Sequence, residues 1–204
     1  MGTRTSNNAS DFQKAPQGMH LARCFKIVDC GTHINPKYGT KQRIGWLFFE
    51  LPNSLMDADD KGERKPFVIG KRYTLSHSEM ARLRADLESW YGKQFNTAEL
   101  DKAGGFDLEK LIGRSAMINI IHSEDGKYAN IKSINPMPDG IQCPEQVNNP
   151  FTFWVPDDFH RIGELSEKMA SYIKESFEYI GEDKQIMETA SPSQPPVFDD
   201  DIPF

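Results

Sequence analysis

Basic and aromatic residues interleave along the first half of this 204-residue chain in a pattern suited to holding a single nucleic-acid strand. Arg23 and Lys26 lie in one apolar run, Lys37, Tyr38, Lys41 and Arg43 in and just after a loop containing Pro and Gly, and Trp46 in the next run. Arg64 and Lys65 close a charged stretch, and Lys71, Arg72 and Tyr73 lie in the run behind it. Lys127 and Tyr128 follow an Asp125-Gly126 turn. Cations neutralise phosphates, and an aromatic face accepts any base, each stack contributing about 1 to 3 kcal/mol. Tyr38 is the best stacking candidate because it stands in a loop between Lys37 and Lys41, where packing does not demand it. The strand aromatics also read as core. Trp46 and Phe49 fall on opposite faces by alternation, so one of them points outward or meets another element.

A second constellation lies at Asp199, Asp200, Asp201, Ile202, Pro203 and Phe204. Three carboxylates stand beside a stiff Ile-Pro pair and an aromatic anchor, whose α-carboxylate an Arg or Lys of a partner protein can capture. The charge divides accordingly. The net charge is -6, yet residues up to Asn135 hold 20 Lys and Arg against 16 Asp and Glu, and the remainder holds 4 against 14. The first 49 residues alone carry 7 basic and 2 acidic side chains. An average that argues against a nucleic-acid binder therefore hides a basic body and an acidic end.

Other classes lack support. No run of about 18 apolar residues suits a membrane span, and the polar stretch Met1 to Gln17 has no apolar signal region, so a soluble cytoplasmic protein is expected. Three cysteines (Cys24, Cys30, Cys143) match neither a disulfide framework nor paired metal ligands, and the five His include no closely spaced pair. Reduced thiols, no metal and no cofactor are expected. The acidic cluster at Asp57 to Asp60 reads as a solvated hinge, because no second cluster is spaced to complete a cation site. No phosphate loop, nucleophile elbow or HExxH motif appears, so the chain does not read as an enzyme.

The elements that must position these residues follow from hydrophobic periodicity. Strands are expected at Met19 to Asp29, Arg43 to Leu51 and Pro66 to Leu75. A helix capped by Ser76 or Ser78 then runs to Trp90, with Met80, Leu83, Leu87 and Trp90 on one stripe. Trp90 reads as a barrel plug. A short helical stretch over Thr97 to Lys102 and the turn FDLEKLIG lead to strands at Arg114 to Ser123 and Lys127 to Ile134, joined by the Asp125-Gly126 hairpin. Five strands with a helix between the third and fourth is the layout of an OB-fold, a Greek-key barrel that binds oligonucleotides or oligosaccharides. After the apolar patch PFTFWV, Ile162, Leu165, Met169, Ile173, Phe177 and Ile180 predict a C-terminal helix over Asp158 to Tyr179, packed on the barrel. GEDKQIMETASPSQPPV has the composition of a disordered linker.

Two resemblances bear on function. The ending DDDIPF resembles the acidic tip of bacterial single-stranded-DNA-binding proteins, which implies docking of replication, recombination and repair enzymes through the terminal Pro-Phe. The run from Tyr73 to Gly113, with the strand pair around His122, Gly126, Tyr128 and Ala129 and the later SYIKESFEY segment, resembles a family of phage-encoded OB-fold proteins that bind single-stranded DNA. That likeness spans residues 19 to 180 and departs from the family in the aromatic-rich strand Ile44 to Glu50.

The expected organisation is a mobile arm (1–18), an OB-fold domain (19–155), a C-terminal helix (156–180), a linker (181–198) and a recruiting tip (199–204). The expected function is non-catalytic, largely sequence-independent binding of single-stranded DNA in phage replication and recombination, in the host cytoplasm. A homodimer is compatible with it. The alternative is an adaptor that imitates the host tail and whose barrel contacts proteins instead of DNA.

Overall fold

The computed structural model describes residues 13–58 and 61–180, so the expected linker and acidic tip lie outside the described residues, as does most of the expected arm. Six strands form one sheet: β1 (Gly18–Ile34), β2 (Lys41–Leu55), β3 (Pro66–Thr74), β4 (Ser115–His122), β5 (Ala129–Asn135) and β6 (Phe151–Phe153). The order is β3-β2-β1-β4-β5 with antiparallel neighbours, and β6 joins β1 in parallel at Lys26 to Val28. β1 pairs with β4 through its first residues and with β2 from Arg23 onward. Register shifts at Cys24/Lys26 and Asp29/Gly31 bend it, as bulges do. The sheet curls until Cα atoms of β3 and β5 come within 8 Å, although no ladder joins those two strands.

Between β3 and β4 lie α1 (Arg82–Tyr91), α2 (Thr97–Lys102) and a 3-10 turn at Leu108–Leu111. Asn96 caps α2 by accepting from Ala98 N and Glu99 N, and Asp107 caps the turn by accepting from Glu109 N. α1 starts later than its sequence suggests. Ala81 precedes it without a side-chain cap, while Ser76 and Ser78 bond each other at 3.3 Å. Met80, expected on the apolar stripe, is 95% exposed because it falls before the first helical turn, whereas Leu83, Leu87 and Trp90 are buried.

Both faces of β2 are covered, which is why its run of buried residues is nearly continuous. On one face Leu47, Phe49 and Leu51 pack with Cys24, Ile118, Ile134 and the α1 residues Leu83, Leu87 and Trp90. Trp90 donates to Ser115 O at 2.8 Å and fills that interior as a plug. On the other face Ile44, Trp46 and Phe48 join Phe25, Val28, Phe153, Val155, Leu165, Met169 and Ile173.

The segment covering this second face is not the single helix its periodicity predicts. It is β6, a 3-10 turn at Phe159–Glu164, α3 (Glu167–Lys174) and α4 (Phe177–Ile180). Leu165 and Ser166 are extended, and Ser166 starts α3 afresh by accepting from Met169 N. It does pack against the sheet. Six of its apolar side chains, Phe153, Val155, Leu165, Met169, Ile173 and Phe177, are buried. At about 1.5 to 3 kcal/mol each, their exposure would cost on the order of 10 kcal/mol, comparable with the whole stability of a domain. The segment is therefore part of the fold and not a removable cover.

Candidate nucleic-acid interface

The fourteen residues singled out by sequence do not form one surface. Antiparallel pairing puts the β1–β2 loop at one end of the sheet and the β2–β3 and β4–β5 loops at the other. The exposed candidates divide between those two ends.

The β1–β2 end is organised by Asn35. Its side-chain oxygen accepts from Lys37 N at 2.9 Å and Tyr38 N at 3.2 Å, its carbonyl accepts from Gly39 N at 2.8 Å, and its amide donates to Gln42 Oε1 at 3.0 Å. Gly39 supplies the left-handed conformation the turn requires, with φ of 64°. The loop is thus a fixed Asx turn that holds Tyr38 out into solvent, where the residue is 65% exposed. Lys37 Nζ lies 5.1 Å from the Tyr38 ring centroid, and Lys41 Nζ lies 4.1 Å from that of Phe177. Arg72, exposed on β3, donates to the Tyr172 hydroxyl at 3.3 Å.

At the other end Arg64 and Lys65 are exposed at the close of the β2–β3 loop. In the β4–β5 hairpin Tyr128 is half-buried, and Lys127 is exposed 3.4 Å from Asp125. Hydrogen bonds from Ser123 Oγ and Lys127 N hold the Asp125 carboxyl below the usual carboxylate range.

The remaining candidates make contacts within the fold, and for the buried Trp46 and Tyr73 this corrects the expected role. Trp46 and Tyr73 are core side chains at 4% and 2% exposure. Trp46 meets the C-terminal segment and stacks near Phe48, while the Tyr73 hydroxyl donates to Asp86 at 2.8 Å. Lys71 faces the same carboxylate in a largely buried ion pair at 2.7 Å, and burial pulls its ammonium below the usual lysine range. Arg43 pairs with the buried Asp29 and donates to Val155 O, anchoring the covering segment. Lys26 lies 5.2 Å from the Phe48 ring and 5.1 Å from the Phe151 ring, and burial lowers its pKa. Arg23 donates to the carbonyls of Gly113, Cys143 and Pro144. Exposure and pairing are tertiary facts, and nothing in residue type or spacing distinguishes Arg23 from Arg64.

One contributor has no sequence signal of its own. Lys14, read as part of a mobile arm, reaches the β4–β5 hairpin and donates to Gly126 O. Among the described residues no three His, Cys, Asp or Glu side chains are grouped to hold a metal, and no helix is long and apolar enough to cross a membrane. No protein-family model matches the chain, and no curated protein matches it.

Proposed function

We propose that the chain is a non-catalytic single-stranded-DNA-binding protein built on an OB-type barrel, with a C-terminal tip that recruits replication, recombination and repair enzymes. The strand order, with α1 between β3 and β4, supports the barrel reading. The observation that carries the binding reading is Tyr38, a fixed, solvent-facing aromatic between two lysines. A base stacks on its ring while Lys37 and Lys41 neutralise the flanking phosphates. The covered β1–β2 face takes no part, so the strand is held at the loop ends. The resemblance of the DDDIPF tip to that of bacterial single-stranded-DNA-binding proteins supports recruitment, and the likeness to phage OB-fold proteins supports a role in phage replication.

Titration of oligo(dT) at low and high salt tests the reading. If Lys37, Lys41, Arg64, Lys65, Arg72 and Lys127 each neutralise one phosphate, log K against log salt has a slope of about -4. Deleting Asp199 to Phe204 leaves DNA affinity equal or higher and abolishes capture of tip-reading enzymes. Weaker DNA binding on deletion contradicts that division of labour. The commitment of Arg23, Arg43 and Lys71 to internal pairs favours the adaptor alternative. That alternative predicts no oligo(dT) binding even at low salt.

A further inference from the structure

We propose that Gln13 to Pro16 form a strap that joins the β2–β3 and β4–β5 loops into one nucleic-acid-binding edge, an inference that rests on the reading above. The expected mobile arm is, from Gln13 onward, bound on both sides. Gln13 donates through Nε2 to Asp57 Oδ2 at 2.9 Å and accepts through Oε1 from Asp57 N at 2.7 Å. The adjacent Lys14 donates to Gly126 O at the tip of the hairpin. Two loops far apart in sequence are therefore held within the reach of two neighbouring side chains.

The strap itself is fastened from behind. Ala15 is 5% exposed in the core, and its carbonyl lies 2.9 Å from His122 Nε2, on the last residue of β4. The Pro16 carbonyl lies 2.8 Å from His20 Nε2, and Nδ1 of the same ring is 3.2 Å from Ser54 Oγ near the end of β2. A carbonyl can only accept, so both imidazoles present Nε2–H to the strap, and His20 Nδ1 accepts from Ser54. The exposed side chains of Arg64 and Lys65 stand on one strapped loop and that of Lys127 on the other. The β2–β3 loop brings Lys61, Arg64 and Lys65 and the β4–β5 loop Lys127, and a fixed spacing between the loops lets both engage one strand without a further ordering cost.

Gln13 is the positioning residue that separates geometry from charge, because Gln13→Ala removes both bonds to Asp57 without altering the charge of the chain. The full-length Gln13→Ala protein, with its melting temperature as a check on folding, is expected to bind oligo(dT) about three- to tenfold more weakly. In an Arg64→Ala/Lys65→Ala background the same substitution is expected to have little further effect, because the cations it positions are gone. A merely structural glutamine gives the same loss in both backgrounds. Unchanged affinity in Gln13→Ala, or an undiminished loss in the second background, overturns the strap while the DNA-binding reading stands. An unaltered chain that does not bind oligo(dT) overturns both.

Discussion

Arg23 and Glu50 are direct cross-strand partners on β1 and β2, and they fasten the same irregular segment between β5 and β6. Arg23 donates to the carbonyls of Cys143 and Pro144, while the fully buried Glu50 accepts from Val147 N at 2.8 Å and from Asn148 N and Nδ2 at 2.7 Å. Opposite charges thus satisfy opposite backbone groups, carbonyls by the guanidinium and N–H groups by the carboxylate. Glu50→Ala removes the shared acceptor of three part-buried hydrogen bonds and is expected to cost about 2 to 4 kcal/mol, and Arg23→Ala about 2 to 3. Urea unfolding measures both. Oligo(dT) affinity of the Arg23→Ala protein should stay within twofold of the unaltered chain; intact stability with lost affinity would return Arg23 to the DNA face.

Tyr38 and Trp46 make opposite predictions although both are stacking candidates by residue type. Tyr38→Ala removes an exposed ring, so stability should stay within about 0.5 kcal/mol while oligo(dT) affinity falls about 5- to 100-fold. Trp46→Ala empties a buried site and should cost about 3 to 5 kcal/mol. Anisotropy titrations and urea melts on the two proteins decide the matter. A Tyr38→Ala chain that binds as before removes the main support for the DNA-binding reading.

Much of the architecture was legible because it is written in local periodicity. The alternation of Ile44, Trp46 and Phe48 against Leu47 and Phe49 gave two faces, Asp125-Gly126 gave a hairpin, and Leu83, Leu87 and Trp90 gave an inward helix stripe. The fates of individual cations were not legible. Arg43 and Arg72 look alike in sequence, but Asp29 lies across the bulged end of β1 from Arg43 and takes its charge. The C-terminal segment kept an apolar period of 3.6 through Leu165 and Ser166, yet its path over the sheet requires extended residues there. The strap carried no signal because the loop-joining bonds of Gln13 and Lys14 come from polar side chains whose partners lie over forty residues away.

Gly31 shows how closely that segment approaches β1. Its φ of 79° lies in the left-handed region, and a Cβ there would stand 2.7 Å from Ser176 Cβ and 2.8 Å from Glu178 Oε2. Glu178 accepts from Thr32 N and Thr32 Oγ1, both at 2.7 Å, so the added methyl would displace the contact that docks α4. Gly31→Ala therefore combines backbone strain with a clash and is expected to cost about 2 to 4 kcal/mol. Hydrogen exchange should show the amides of α4 opening ahead of those of β4. Uniform loss of protection would mean that α4 does not open as a separate unit.

The docking of the same segment should depend on pH through His33. Its ring, 9% exposed, stacks on Tyr172 at 4.0 Å and 7°, and its Nε2–H donates to Cys30 O at 2.9 Å. Burial pulls the imidazole below its ordinary 6.5 and Arg72 pushes the same way, against the opposing pulls of the Cys30 carbonyl, Glu178 and Asp29. As pH falls through 6.5 the unfolded chain takes up this proton before the folded one, so stability drops from there down to the folded pKa and is level above neutrality. Glu178 acts in a separate window. Burial raises its pKa, but the bonds from Thr32 and the charge of Arg43 outweigh this and lower it, so its contribution is present above 4.5 and lost below. His33→Phe keeps the stack and removes the titrating group, so its melting temperature should change less between pH 7 and 5 than that of the unaltered chain. Equal slopes in that window would place the acid sensitivity elsewhere in the molecule.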